Sequence, residues 1–362
     1  PSPVKEVVQN AAVLGREFET PILFDMMARD PALETKLESA ADDSIWFSLD
    51  KVRYLFQHAL LRDAAYDMQL HSRLRILHKL AAEAFVTRHE QDSDLEPRYP
   101  EIAYHFDKAG ETNQAALFYG QAGELAKEKY SNTEAIGYFS RGLELTTAAD
   151  IQLKYDLLCG RETIFQWLGR RDEQQNDLDE LGELLGEHPD DLKQADLSLR
   201  QSSYALVTGD YDTAVAMVQN SLHYAQQAGQ IVTEAKAYHR WGRTLWQQGQ
   251  TQEAEGYLRN ALDLARSGGS RDVEADCLFD LGTVFRNLAR YDEAKSILNQ
   301  AAKVYEDLDD NQGLVRCQNL FGMINDEQGF LVESHYRYTL ALDLCREAGW
   351  RYAETYILIN LG

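Results

Sequence analysis

The side chains of this sequence that could do chemistry are its histidines, cysteines, paired carboxylates and arginines, and most of them stand at spacings that support no reaction. No HExxH pair occurs, and His188 and His223 have no partner at metal-ligand spacing. A GxxxxGKS/T phosphate loop is also missing, so these residues cannot turn over a nucleotide by themselves. Asp190-Asp191 and Asp309-Asp310 fall in connections between periodic apolar segments, where carboxylates serve as helix caps and turns. Nothing signals a Ser/His/Asp or Cys/His nucleophile. The four cysteines, Cys159, Cys277, Cys317 and Cys345, form no CxxC pair and are too scattered for a disulfide framework. A reducing, cytoplasmic setting is expected.

Charge narrows the partners. The 362 residues carry 36 Lys+Arg against 59 Asp+Glu, a formal charge of −23 that repels phosphate backbones and argues against nucleic acid. No apolar run approaches the roughly 20 residues of a membrane span, so no membrane partner is expected. The start at Pro1 and the stop at Leu361-Gly362 read as cuts inside a longer protein.

What must position the remaining candidates is a repeat with a 40-residue offset. Gly242, Gly282, Gly322 and Gly362 follow Trp241, Leu281, Phe321 and Leu361 in phase. Ala214, Ala254, Ala294 and Ser334 form a second series, and Ser221, Ala261, Ala301 and Ala341 a third. Val218, Leu258, Leu298 and Tyr338 lie between them. Small residues let two antiparallel helices approach closely, and the large neighbour fills the gap to the next pair. Short turns fall at Gly209-Asp210-Tyr211, Gly249-Gln250-Thr251, Ala289-Arg290-Tyr291 and Gly329-Phe330-Leu331.

Tyr238, Trp241, Gly242, Leu245, Ala254, Leu258 and Ala261 resemble the tetratricopeptide-repeat (TPR) consensus, in a version longer than the usual one. An earlier pair with Tyr119, Ala122, Gly123, Ala135, Phe139 and Gly142 fits well, and the stretch from Gly160 to Leu185 fits poorly. Six helix hairpins and the first helix of a seventh are expected from about residue 113. In a TPR superhelix the first helix of each hairpin lines the concave groove. That phase points His239, Arg243, Trp246 and Gln247 inward, then Phe279, Thr283, Arg286 and Asn287, then Asn319, Met323, Asp326 and Glu327. Aromatics and arginine anchor interfaces, so the groove is a candidate binding surface. The competing reading is that the aromatics complete inter-repeat packing while the arginines pair with acids. Cys277 and Cys317 recur beside these residues as small buried fillers.

Residues 1–90 lack the repeat. Val7 to Leu14, Pro21 to Ala28, His58 to Met68 and Ser72 to Thr87 read as helices, and Ile45–Leu49 with Arg53–Phe56 as a β-hairpin around Asp50-Lys51. The runs Ala11-Ala12-Val13-Leu14-Gly15-Arg16-Glu17-Phe18, Phe56-Gln57-His58-Ala59-Leu60-Leu61-Arg62-Asp63-Ala64-Ala65-Tyr66 and Arg75 to Ala82 resemble the winged-helix domain of signal-transduction ATPases with numerous domains (STAND). The likeness continues through Pro100 to Phe106 and Ala109-Gly110.

The resemblance implies an all-α fold. A winged-helix domain with a small β-hairpin occupies 1–90, a connecting helical segment 91–112, and a right-handed TPR solenoid 113–362. It implies a non-enzymatic sensor region whose partners are an inducer, small molecule or protein, and an upstream nucleotide-binding domain in cis. This region needs no cofactor, whereas the full-length protein would use ATP or ADP with Mg. His58 stands where the family's winged-helix histidine touches the β-phosphate of ADP; the plainer role is to pack the hairpin onto the following helix. Arg62 and Asp63 read as surface or domain-contact pairs. His71 and His78, with Arg73, Arg75 and Lys79, form a small basic stripe that reads as a solvated surface in preference to a DNA-reading helix. The alternative to the sensor is a constitutive TPR scaffold for a partner protein.

Overall fold

A computed structural model describes residues 3–92, 95–347 and 351–361, in two compact units, Pro1–Leu184 and Leu185–Gly362. Gly362, the last member of the phased glycine series, lies outside the described residues.

The first unit begins with α1 (Pro3–Leu14), β1 (Glu17–Glu19), α2 (Thr20–Met26), α3 (Leu33–Asp42), β2 (Trp46–Ser48) and β3 (Arg53–Phe56). The strands pair antiparallel in the order β1-β3-β2, with Phe18 opposite Tyr54 and Trp46 opposite Phe56. The hairpin turns where expected, because Asp50 Oδ1 accepts from the backbone N–H groups of Val52 and Arg53, both at 2.9 Å. Two elements go beyond the sequence reading. One is β1, whose three residues are too few to show an alternation. The other is α3, whose Leu33, Leu37 and Ala40 make one buried face. Phe18, Trp46 and Phe56 pack edge-to-face or tilted at 5.0 to 5.7 Å. The Trp46 indole donates to Leu37 O at 3.1 Å, which satisfies its buried polar end.

Helices α4 (Ala59–Asp67), α5 (His71–Asp92) and α6 (Tyr99–Ala109) follow, then the hairpins α7 (Thr112–Glu128)/α8 (Asn132–Leu145) and α9 (Ile151–Leu168)/α10 (Arg171–Glu187). One core runs from Ala11 and Leu23 through Phe85, Ile102 and Phe106 to Phe118. His78 does not belong to the basic stripe. It is buried, because Leu74, Leu77, His78, Ala81, Ala82 and Phe85 recur at three- and four-residue steps and form the inner face of α5. The stripe itself is pinned: Arg75 Nε donates to Ala109 O, and Lys79 pairs with Glu111. The poor consensus fit of α9/α10 also has a cause. Where apolar packing is expected, this hairpin buries Glu162, Gln174 and Asp177, with Gln174 donating to Glu162 at 2.7 Å and Arg161 paired with Asp177.

The second unit stacks α11 (Asp191–Thr208)/α12 (Tyr211–Gln227), α13 (Ile231–Gln247)/α14 (Thr251–Gly268), α15 (Arg271–Asn287)/α16 (Tyr291–Asp307), α17 (Asn311–Glu327)/α18 (Leu331–Glu347) and α19 (Arg351–Leu361). All the small residues of the two phased series are buried. Asp190, Asp210 and Asp310 cap their helices by accepting the backbone N–H three residues on.

Gly282 shows why small residues hold these positions. A Cβ there would lie 2.7 Å from Leu298 Cγ and Cδ2 on the paired helix, whereas one at Gly256 on α14 would meet nothing within 4 Å. Gly282→Val is therefore expected to cost about 2–3 kcal/mol by overpacking, while Gly256→Ala gains roughly 0.5–1 kcal/mol of helix propensity. Urea unfolding of the two variants checks both signs.

Candidate functional site

The first helices of successive hairpins supply one cavity of about 430 Å³ in the second unit. Arg243 and Trp246 come from α13, Phe279, Asp280, Thr283 and Arg286 from α15, Val315, Arg316, Asn319, Leu320 and Met323 from α17, and Tyr356 and Ile357 from α19. Equal helix lengths and equal register carry the same positions of each repeat to the same side. For that reason Arg243, Trp246, Phe279, Thr283, Arg286, Asn319 and Met323, named from the 40-residue phase, come together. His239 stands behind this lining, with its Nε2 2.7 Å from Asp280 Oδ2. Gln247, Asn287, Asp326 and Glu327 are exposed and line no part of the cavity.

The charged groups pair across repeats. Arg286 Nε and an Nη donate to Glu327 Oε1 at 2.9 and 2.6 Å, and Arg243 Nε approaches Asp280 Oδ2 at 3.4 Å. Arg316 lies 4.1 Å above the Phe279 ring and donates to Asp276 Oδ1 at 3.2 Å. Asp276 also accepts from the Tyr305 hydroxyl at 2.7 Å. Burial raises the Asp280 carboxyl pKa, but the Arg243 charge, the His239 hydrogen bond and Arg316 override it and hold the group down at about 2. Burial also pulls the Arg240 guanidinium down to about 10, reinforced by Arg243 beside it. Both phased cysteines are buried: the Cys317 thiol is pushed up to about 12 by burial, and Cys277 is raised in the same way.

Asp276, Asp280, Arg240 and Arg316 escape the phased reading, as do Tyr356 and Ile357. A signal existed. Lys236, Asp276 and Arg316 share one phase, and Arg240 and Asp280 another. Their residue types alternate in charge instead of repeating.

In the first unit, His58 is exposed. It sits in extended backbone at φ −128°, ψ 131° as the residue that begins α4, and its carbonyl accepts from Leu61 N at 3.0 Å. The plainer role, packing between hairpin and helix, does not fit this exposure. Arg62 Nε donates to Ala12 O at 2.8 Å and an Nη pairs with Asp63 at 3.1 Å. No group of His, Cys, Asp and Glu among the described residues could hold a metal ion, and no described helix is long and apolar enough to cross a membrane.

Residues 233–307, from within α13 to the end of α16, match the tetratricopeptide-repeat family. No curated protein matches the chain. Among solved structures, the apo form of RapI is similar over 76% of this chain and 98% of its own, with a TM-score of 0.60 and 11% identity. A Rap protein complexed with competence and sporulation factor is similar over 93% and 92%, at 0.53 and 12%. A signal-transduction ATPase with a tetratricopeptide-repeat sensor from Pyrococcus horikoshii aligns over this whole chain at 0.49 and 11%. The chain spans 63% of that ATPase structure. At these identities the likeness is one of fold: the chain carries a tetratricopeptide-type array of helix hairpins.

Proposed function

We propose that this chain is the sensor and autoinhibitory region of a STAND signalling ATPase, in which the cavity of the second unit binds an inducer. The observation that carries the proposal is the cavity itself, where three first helices and α19 bring arginines and half-buried aromatics to one place. A solved protein of this fold holds competence and sporulation factor, which supports reading such an array as a ligand carrier.

The first unit supports the second half of the proposal. Its order of helix, strand, two helices and two strands, with β1 added to the β2–β3 hairpin, is the order of a winged helix. Helix α4 buries none of its residues and leaves Leu60 80% exposed, with Leu70 just beyond it at 77%. Such apolar exposure beside His58 suits contact with a nucleotide-binding domain carrying ATP or ADP with Mg. An exposed imidazole N–H there would donate to a phosphate oxygen of bound ADP and favour the closed state.

The test uses the full-length gene product. His58→Ala is expected to raise nucleotide exchange without inducer by roughly 5-fold or more, the scale of ordinary allosteric coupling. Unchanged exchange sinks the role of His58. A native gene product with no phosphate loop upstream of Pro1 would instead make the array a constitutive partner scaffold.

A further inference from the structure

The cavity of the second unit holds more positive charge than its own acids answer. Three guanidinium groups, those of Arg243, Arg286 and Arg316, line it against one carboxylate, that of Asp280; from outside the lining Asp276 and Glu327 add two carboxylates and Arg240 a fourth guanidinium close to Arg243. Asp280 is engaged by His239 and Arg243, Asp276 by Tyr305 and Arg316, and Glu327 by Arg286. Among the described residues Arg240 has no carboxylate in contact, and Arg243 Nε, buried 3.4 Å from Asp280 Oδ2, makes an ion pair but no hydrogen bond. One surplus cation here, in a chain of charge −23, runs against the chain's own electrostatics.

Beside Thr283, Asn319 and Tyr356 the rest of the lining is apolar, with Trp246, Phe279, Met323 and Ile357 among it. Arg316 stacked on Phe279 presents its remaining N–H groups in the guanidinium plane, the geometry that a planar carboxylate accepts two at a time. One surplus charge suits a monoanion and would be overcompensated by a phosphate dianion. A volume of about 430 Å³ falls in the lower half of the usual range for small-molecule pockets.

Resting on the proposed inducer site, we infer that the cavity takes a small carboxylate with an aromatic or branched aliphatic body: the carboxylate meets Arg243 and Arg316, and the body lies against Trp246, Phe279 and Met323. Burial of the Arg240 charge supports the choice, since an added anion relieves the strain of holding that group ionised.

The test is titration calorimetry of the intact 362-residue chain with N-acetylphenylalanine, its amide, and an octapeptide that ends in the same phenylalanine carboxylate. The acid is expected to bind once per chain and about tenfold more tightly than the amide, with the peptide no tighter than the acid. Arg243→Met should abolish the preference for the acid, and Phe279→Ala should weaken acid and amide alike; thermal unfolding verifies that both variants fold. Equal binding of acid and amide, both lost in Phe279→Ala, overturns the anion while leaving the groove a binding surface. A peptide about tenfold tighter than the acid overturns the small molecule in favour of a chain end. No saturable binding of the acid up to roughly 10 mM overturns the site itself, whatever His58→Ala does to the full-length protein.

Discussion

Asp280→Asn is expected to destabilise the second unit by about 3 kcal/mol or more, the scale for removing one member of a buried ion pair. The carboxylate is only 9% exposed, and it holds His239 at 2.7 Å and Arg243 at 3.4 Å. An asparagine amide keeps the shape and one acceptor but not the charge, which leaves the half-buried cations Arg240 and Arg243 to repel one another. The cost therefore arises from repulsion left behind, and removing a cation should recover part of it. Arg243→Met combined with Asp280→Asn is expected to be at least about 1 kcal/mol more stable than the sum of the single changes predicts. Urea unfolding at pH 7 measures the cycle; strict additivity would show that Asp280 acts through packing alone. The ligand enters the same accounting: a carboxylate in the cavity supplies the missing negative charge, so the acid should stabilise Asp280→Asn more than it stabilises the native chain.

The sequence exposed some of this site and hid the rest for a physical reason. A repeat search finds positions that resemble each other. It therefore found the glycines and alanines that let α13/α14, α15/α16 and α17/α18 pack alike, and with them the register that turns Arg243, Phe279 and Asn319 to the cavity. Ion pairs between neighbouring repeats need opposite types at related positions. His239 with Asp280, Arg286 with Glu327 and Asp276 with Arg316 are each 40 or 41 residues apart, one period, with complementary side chains at the two ends. Reading the phase for complementarity as well as for identity would have found them. In the first unit the error ran the other way. Arg73, Arg75 and Lys79 around His78 suggested a wet stripe, although the three- and four-residue spacing from Leu74 to Phe85 already placed His78 on the apolar face. Composition outweighed periodicity, and periodicity was the better guide.

That buried histidine underlies the second large effect, a loss of stability in mild acid. His78 and His105, each 1% exposed, face each other with their Nδ1 atoms 2.9 Å apart, and the Tyr66 hydroxyl lies 2.9 Å from His78 Nε2. The chain joins α4, α5 and α6 through groups that carry no charge at neutral pH. Burial holds His78 down at about 4, aided by the Lys108 and Arg62 charges, and holds His105 at about 3, aided by His78. Both rings titrate near 6.5 once the chain unfolds. Between those values the unfolded chain binds more protons than the folded one, so stability is complete above about pH 6.5 and falls with pH until the folded groups themselves protonate. At pH 5 the deficit is about 2 kcal/mol per ring, or about 4 kcal/mol for the pair. Asp280 cannot account for such a loss: with its carboxyl held at about 2, it still contributes at pH 4 and fades only toward pH 2. Urea unfolding of the first unit's transition at pH 7.5, 6 and 5 is expected to show the decline, and His105→Phe should remove about half of it, because Phe85 already stacks 5.8 Å from the His105 ring and an apolar ring fits there. A pH-independent transition, or an unaltered slope in His105→Phe, would mean that the two rings accept protons in the folded protein as readily as in the unfolded chain.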